Sequence, residues 1–365
     1  MEDLLYKVAL ARLDGVGTAM TRKLLLQYGT ARAVFECRAK ELNAIPRLKE
    51  TAVQAVLNGK ALQQAEQELE ICERYDIDIL YFMDSHFPKR LKQIEHGPVI
   101  LYYKGNISLD HTRTVGIIGT RKASPLGEIH VEKLVEELAR YQPLVISGLA
   151  YGIDIAAHKA ALEHNLPTIG VLGHGLRHLY PARHRRIAEQ MIENGGLLTE
   201  YPFFTESDPR HFPMRNRIVA GLCDALVVAE SPRKGGSIIT AQFANDYNKD
   251  VFAIPGRLHD KKSEGCNWLI KTHRAALLES AEDIAYNLRW EEQEKTVAEQ
   301  LQLFESLSED EKLVVDLLQE QESLHIDLLS HKSKLGIGIL ATVLLQMEFK
   351  NLIRSMPGKT YMLVP

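Results

Sequence analysis

The residues best suited to bind phosphate follow a short apolar run near the middle of the chain. Thr114 to Gly127 reads T-V-G-I-I-G-T-R-K-A-S-P-L-G, so a strand-like run ends in Gly119 and leads directly to Arg121 and Lys122. Where such a strand ends, backbone N–H groups, a hydroxyl and a guanidinium can meet one anion. The stretch therefore predicts a phosphate-binding turn, and it leaves open whether the phosphate belongs to a nucleotide, a cofactor or a nucleic acid.

Four further segments rich in glycine or polar residues also follow strand-like runs. Because the carboxyl ends of parallel strands meet at one edge of a sheet, we expect these segments to lie beside Gly119-Thr120-Arg121. They are Ser147 to Asp154, Gly173 to His178, Phe212 to Arg217 and Gly235 to Thr240.

The segment from Phe212 to Arg217 contains two arginines near a predicted helix start, with phenylalanines upstream. Guanidiniums bind phosphates through two hydrogen bonds and aromatic rings stack on bases, a combination typical of single-strand binding sites. Alternatively, the arginines pair with acids such as Glu200 or Asp224 and hold loops in place. Because Arg121 and Gly236 are expected at the same sheet edge as these two arginines, phosphate binding is the favoured role.

Other kinds of chemistry are less well supported. Gly173-His174-Gly175 resembles the start of a dinucleotide fingerprint, but His178 stands at the third glycine position, and no stretch has Walker spacing. Asp154 and His158 lie one helical turn apart and could act as acid and base, although a capping aspartate and a structural histidine are favoured. The sequence contains no Ser-His-Asp motif and no His-Glu metal pattern.

Alternating strand and helix patterns around these loops predict an α/β fold with a doubly wound, Rossmann-like parallel sheet. The helical pattern of Glu128 to Tyr141 is one example, and two shorter strand-like runs, Ile77 to Phe82 and Val99 to Tyr103, flank the sheet. The central strands are predicted at Val115–Ile118, Leu144–Ser147, Thr168–Leu172, Leu197–Thr199, Ala225–Ala229 and Val251–Ile254.

The flanks of this core have different patterns. Residues 1–70 are predicted to form a helical, helix-hairpin-helix or SAM-like domain. Its glycine-containing connector, Leu13 to Gly17, could approach a phosphate or could be a plain turn between packed helices. The core is expected at 71–285 and a charged linker at 286–305. Residues 306–365 show three helices followed by a hairpin, which is the order of a winged helix, but Ile337 to Phe349 is almost free of charge and favours protein contact or packing over DNA reading.

Composition limits the class of protein. The net charge is −4, but residues 111–275 contain 21 Lys and Arg against 17 Asp and Glu, whereas the remainder contains 23 against 31. Local charge decides where a polyanion binds, so the middle of the chain is the favoured place. The four cysteines are widely spaced, and no signal-peptide pattern or apolar run of roughly 18 residues occurs, so we expect a cytoplasmic protein without a metal or disulfide framework.

Taken together, the loops resemble those of the DprA/Smf family of DNA-processing proteins over about Phe82 to Ile284. Three positions depart from the usual pattern: Gly235, Arg177 and Arg274. The last two add positive charge. The matching motifs are Gly119-Thr120-Arg121, Ser147-Gly148-Leu149-Ala150 with Gly152-Ile153-Asp154 and Ala157-His158, Tyr180-Pro181, Phe212-Pro213 with Arg215-Asn216-Arg217, Gly236-Ser237 with Thr240-Ala241, and Pro255-Gly256 with Gly265, Asn267, Leu269 and Ile270.

The resemblance implies a non-enzymatic protein without a cofactor or metal. It implies a homodimer that binds and protects incoming single-stranded DNA and helps load the RecA recombinase in natural transformation. The predicted binding residues are Gly119, Thr120, Arg121, Lys122, Ser147, Gly148, Gly152, Phe212, Arg215, Asn216, Arg217, Gly235, Gly236 and Ser237, with Asp154 and His158 ordering the loops.

The main alternative is a phosphoribohydrolase-like enzyme that acts on a nucleotide monophosphate at the same sheet edge. Those enzymes carry a catalytic carboxylate in the motif Pro-Gly-Gly-x-Gly-Thr-x-x-Glu. This chain reads K-G-G-S-I-I-T-A-Q from Lys234 to Gln242, with no acid there. The sequence thus favours binding over catalysis.

Overall fold

The computed structural model describes residues 2–13, 15–290, 308–320, 323–349, 352–356 and 359–363. Contacts within these residues divide the chain into two compact units, Met1–Leu288 and Arg289–Pro365. Most of the linker predicted at 286–305 lies outside the described residues, and the predicted domain boundaries stay predictions.

Helices form the start of the first unit. Their apolar faces share one core, in which Val8, Leu24, Val53 and Ala65 are buried. The connector Leu13 to Gly17 joins the first two helices, and Asp14 within it is outside the described residues. The helices are α1 (Glu2–Ala11), α2 (Thr18–Tyr28), α3 (Ala31–Phe35), α4 (Ala39–Asn43), α5 (Glu50–Leu57) and α6 (Lys60–Arg74).

A large sheet follows, with nine strands among the described residues in the order β1-β2-β6-β5-β4-β3-β7-β8-β9. The pairs β1–β2 and β2–β6 are antiparallel and all other pairs are parallel. The strands are β1 (Asp78–Tyr81), β2 (Ile100–Gly105), β3 (Thr114–Gly119), β4 (Leu144–Ser147), β5 (Thr168–Leu172), β6 (Gly195–Thr199), β7 (Ala225–Glu230), β8 (Asp250–Ala253) and β9 (Ala276–Leu277).

The chain order reverses direction between β3 and β7. From β3 the strands run outward through β4, β5 and β6, and the chain then returns to place β7 on the other side of β3. The loops that follow β3 and β7 therefore diverge and leave a crevice at the carboxyl ends of the strands, which is where open α/β sheets bind ligands.

Helices cover the sheet, as the doubly wound prediction requires. On one face, Ile218 and Val219 of α11 and Ala241 of α12 share a buried cluster with Leu226 and Val228 of β7. Helix α8 starts at a regular cap, because Ser124 accepts a hydrogen bond from the N–H of Gly127 at 3.0 Å. These helices are α7 (Lys89–Lys92), α8 (Pro125–Leu138), α9 (Ile153–Glu163), α10 (Arg185–Glu193), α11 (His211–Leu222), α12 (Gly236–Asp246), α13 (Glu264–Lys271) and α14 (Ala281–Leu288).

The second unit has the winged-helix order that the sequence predicts. Leu340 and Leu344 of its third helix lie in a small core with Val314 and Leu329. The exposed face of that helix includes the apolar residues Ile337, Ile339 and Leu345, and the charged residue of the helix, Glu348, is half-buried and accepts a hydrogen bond from Ser355. Its elements are α15 (Glu309–Glu320), β10 (Leu324–His325), α16 (Ile326–Ser333), α17 (Ile337–Phe349), β11 (Ile353–Met356) and β12 (Thr360–Leu363).

The α/β class, the parallel core and the winged helix are confirmed. The two-residue strand β9 was not predicted, because Ala276–Leu277 is too short to give a pattern. Within the described residues, no single helix is long and apolar enough to cross a membrane, and one pair bent by 111°, Ile326–Ser333 with Ile337–Glu348, passes that test by length and composition only.

Candidate nucleic-acid interface

A groove of about 370 Å³ lies where the chain order reverses, at the carboxyl ends of β3 and β7. Its walls are the loop after β3, the start of α11 and the start of α12. Tyr180, from the loop after β5, lies at its border. Of the predicted residues, the groove brings together Gly119, Thr120, Arg121, Asp154, Phe212, Arg215, Asn216, Gly235, Gly236 and Ser237.

The loop after β3 is fixed to the end of β7 by one buried acid. The N–H of Thr120 donates to the carbonyl of Glu230 at 2.7 Å, and the N–H of Ser124 donates to the Glu230 carboxylate at 2.8 Å. A register shift between Ile118 and Gly119 turns the strand at the same point. Glu230 thus positions Arg121, a role that nothing in the sequence pattern indicates.

Arg121 is the exposed cation that lines the groove. It is exposed, its guanidinium lies 4.9 Å from the centre of the Phe212 ring, and no carboxylate within the described residues lies within 4.0 Å of it. Stacking on an aromatic ring holds the guanidinium plane and leaves its N–H groups free to bind an anion. Lys122 is also exposed but does not line the groove.

The N-terminus of helix α12 also lines the groove. It begins at Gly236, which is exposed, and a Cβ at that position would have nothing within 4 Å. The first N–H groups of a helix have no acceptor within the helix and carry partial positive charge, so they attract a phosphate. The hydroxyl of Ser237 donates to Ser231 at 2.7 Å, which leaves its oxygen only as an acceptor.

Arg215 lies beneath the groove as part of its floor. Only 3% of its surface is exposed, and its Nη1 donates to the carbonyls of Gly148, at 2.6 Å, and of Val171. A Cβ on Gly148 would lie 2.5 Å from the guanidinium, so glycine is required there to make room. Burial lowers the pKa of Arg215 to about 10, partly offset by Asp154. Arg215 thus contributes a positive charge from beneath the surface of the groove and does not extend into it.

Arg217 lies outside the groove, although the sequence predicts a phosphate contact for it. Its side chain is 4% exposed, forms an ion pair with Glu200 and donates to the carbonyl of His96 at 2.7 Å. Burial raises the pKa of Glu200, and the Arg217 charge opposes that change. The alternative role, in which this arginine holds loops in place, is the one that the geometry supports. Asp224 instead pairs with Arg90 at 2.7 Å.

The loop after β4 supports the groove without lining most of it. Ser147 is fully buried and donates to the carbonyl of Ile117 at 2.5 Å, so its hydroxyl is not available to a ligand. Gly152 has a φ of +76°, and a Cβ there would collide with the carbonyl of Thr120. The glycines of this loop, Gly148 and Gly152, therefore permit close packing, which differs from the predicted phosphate contact.

Asp154 and His158 do not form an acid–base pair in the groove. His158 is fully buried and its Nδ1 lies 2.7 Å from the hydroxyl of Thr168, which donates to the carbonyl of Val145. Nδ1 must therefore carry the proton, and burial lowers the pKa of His158 to about 3. Burial raises the pKa of Asp154, opposed by Arg215. Both residues are buried, their predicted role in ordering the loops stays a prediction, and no cluster of metal ligands occurs among the described residues.

Tyr180 is a candidate binding residue that the predicted site omits. Its ring is 46% exposed and lies 5.9 Å from Phe212, centre to centre. Tyr180, Phe212 and Arg121 thus form a connected aromatic and cationic border of the groove. The Tyr-Pro pair was visible in the sequence, but only the folded loop brings it to Phe212.

Comparison with known proteins agrees with this architecture. Residues 78–289 match the family model of DNA recombination-mediator protein A, and residues 298–359 match that of the DprA winged helix domain. Protein Smf of Synechocystis sp. is 33% identical over 279 residues, covering 75% of this chain and 70% of that protein. DNA processing protein DprA of Streptococcus pneumoniae is 41% identical over 202 residues, covering 55% and 71%.

Solved structures give the same result. The X-ray structure of Streptococcus pneumoniae DprA superposes with a TM-score of 0.66 at 32% identity, covering 77% of this chain and 96% of that one. A structure of Helicobacter pylori DprA, described for its single-stranded DNA binding mode, has a TM-score of 0.53 at 30% identity and covers 58% of this chain and 95% of that one. The chain therefore belongs to the DNA recombination-mediator protein A family, also called DprA/Smf.

Proposed function

We propose that the groove between β3 and β7 binds the phosphates of single-stranded DNA. The observation that carries this proposal is that the unneutralised Arg121 and the N-terminus of α12 line the same groove. A phosphate between them receives a charge-assisted hydrogen bond from one side and backbone N–H groups from the other. The related Helicobacter pylori DprA, which is described as binding single-stranded DNA, supports the same assignment.

Bases next to such a phosphate have an aromatic surface available. Tyr180 and Phe212 lie at the same border as Arg121. The exposed Tyr180 ring, with the half-buried Phe212 ring beside it, can stack on unpaired bases of any sequence. Bases in a duplex are already stacked and cannot insert in this way. The combination favours single strands and little sequence preference.

The finer function rests on family membership. We propose that the chain acts as a homodimer without catalysis, protects incoming single strands and helps load the RecA recombinase during natural transformation. The rival phosphoribohydrolase loses support, because Gln242 stands where those enzymes have a catalytic glutamate and because the groove carboxylate of Asp154 is buried beside Arg215. Free base released from nucleoside monophosphates by the purified protein would restore that rival.

Substituting Arg121→Ala is the direct test of single-strand binding. We expect an affinity for a labelled oligonucleotide that is about tenfold lower, with a salt slope smaller by about 0.7, because one phosphate contact is lost. Arg74→Ala is the matched control, since Arg74 is exposed at the end of α6, next to the far border strand β1. Fluorescence anisotropy across a salt series measures both, and equal affinity for the two variants would refute the proposal.

A further inference from the structure

A second groove, of about 540 Å³, lies at the opposite border of the sheet from β8 and β9. Helices α1 and α6 and the border strand β1 form it. Its apolar lining is half-buried at Leu4, Leu5, Leu69 and Ile79 and buried at Cys72 and Ile77. Within the described residues, β1 pairs only with β2, so nothing in the sheet continues past this groove.

The charged residues that line the groove are all acidic: Glu2, Glu66, Glu70 and Glu73. Glu2 pairs with Arg32 at 3.2 Å. The three glutamates of α6 are exposed, and within the described chain none has a basic partner within 4.0 Å. They stand at positions i, i+4 and i+7, with Leu69 among them, so like charges repel along the edge of an apolar surface.

We propose that this groove binds a basic amphipathic helix of a partner protein. Apolar side chains of that helix would fill the space over Leu69 and Ile79, while its lysines or arginines would face the three α6 glutamates. From Glu66 to Glu73 the helix rises about 10 Å, so two to three turns of a partner match its length. The acidic border repels phosphate, which excludes nucleic acid as the occupant.

The inference is independent of the proposed DNA function, because it concerns a different border of the sheet. It also fits the uneven charge of the chain: the acidic flank would hold a protein while the more basic middle holds an anion. A basic segment and a DNA strand would then bind together without competing for one surface.

Methyl NMR of the full chain tests this proposal with a defined probe. The probe is a synthetic capped helix with leucines on one face and lysines on the other. We expect saturable shifts at the methyl groups of Leu4, Leu5, Leu69, Ile77 and Ile79, and none with the same peptide carrying glutamate in place of lysine. Combining Glu66→Lys, Glu70→Lys and Glu73→Lys should weaken binding about tenfold or more.

Two further variants distinguish binding in the groove from a general attraction of the basic peptide to acidic surfaces. Glu128→Lys, Glu132→Lys and Glu136→Lys reverse three exposed glutamates at similar spacing on α8, and binding should change less than about twofold. Leu69→Ala should weaken binding roughly fivefold by removing apolar contact while methyl signals elsewhere stay in place. The proposal is overturned by unchanged groove methyls, by equal loss in the α8 variant, or by groove shifts on adding a single-stranded oligonucleotide.

Discussion

At the scale of single residues, three arginines near the groove carry the same charge in different ways. Arg121 is exposed and stacked on Phe212, Arg215 is buried against backbone carbonyls, and Arg217 is buried against Glu200. Only an exposed guanidinium can exchange water for phosphate without losing internal hydrogen bonds. Replacing Arg121 should therefore weaken DNA binding, whereas replacing Arg215 or Arg217 should mainly lower the stability of the fold.

Replacing Arg215 tests that separation. Arg215→Ala leaves Asp154 and two carbonyls buried without their partner, so we expect the free energy of unfolding to fall by about 3–5 kcal/mol. Arg121→Ala should change it by less than about 0.5 kcal/mol, because that side chain is exposed. Urea unfolding measures both. A loss of DNA affinity in a folded, equally stable Arg215 variant would contradict the floor role.

His158 should make the fold sensitive to acid. Its pKa is about 3 when folded, against an ordinary 6.5, so below pH 6.5 the unfolded chain binds a proton that the folded chain does not. Stability is therefore full above pH 6.5 and is lost as the pH falls toward 3, by about 2 kcal/mol between pH 7 and pH 5 from this residue. The free energy of unfolding in urea should differ less between pH 7 and pH 5 for His158→Asn than for the unsubstituted chain. An identical difference would mean that other groups cause the acid sensitivity.

The sequence predicted this site only in part, for a physical reason. Arg121 stands two residues after the end of an apolar run, and Gly236 stands in the glycine-containing loop that follows another, so local pattern places both at the sheet edge. Whether Arg217 reaches solvent depends on Glu200 and on the carbonyl of His96, which are distant in sequence. The role of Glu230 is equally absent from the local sequence pattern, because it arises from the pairing of β3 with β7. Tertiary contact, which no local pattern encodes, decides these roles.

At the scale of elements, the N-terminus of α12 should bind phosphate through backbone rather than side chains. Gly236→Asp tests this, since a Cβ fits there and a carboxylate at a helix start stabilises the helix by about 0.5 kcal/mol. We expect single-strand affinity to fall about tenfold while the unfolding temperature stays equal or rises. Gly236→Asn is the control of the same size without charge. If both variants bind alike in anisotropy, α12 does not face the phosphate.

The strands β1 to β8 were predictable because each contains a short apolar run, whereas the two-residue β9 was not. Their order in the sheet was not, because pairing of β2 with β6 and return of the chain to β7 depend on contacts far apart in sequence. The crevice between β3 and β7 is a consequence of that order. Strand order therefore explains why the predicted binding loops converge, and side-chain exposure decides which residues in them can contact a phosphate.

At the scale of the whole molecule, we expect the first unit to bind single-stranded DNA without help from the winged helix. The exposed face of α17 carries Ile337, Ile339 and Leu345 rather than lysine or arginine, although Arg354 and Lys359 are exposed on the hairpin beside it. A chain ended after Trp290 keeps the groove, so we expect its single-strand affinity to stay within about twofold of the full chain. Anisotropy with the same oligonucleotide compares the two. A tenfold loss in the shortened chain, with its unfolding transition intact, would assign DNA contact to the winged helix, and the hairpin cations would be the residues to replace next.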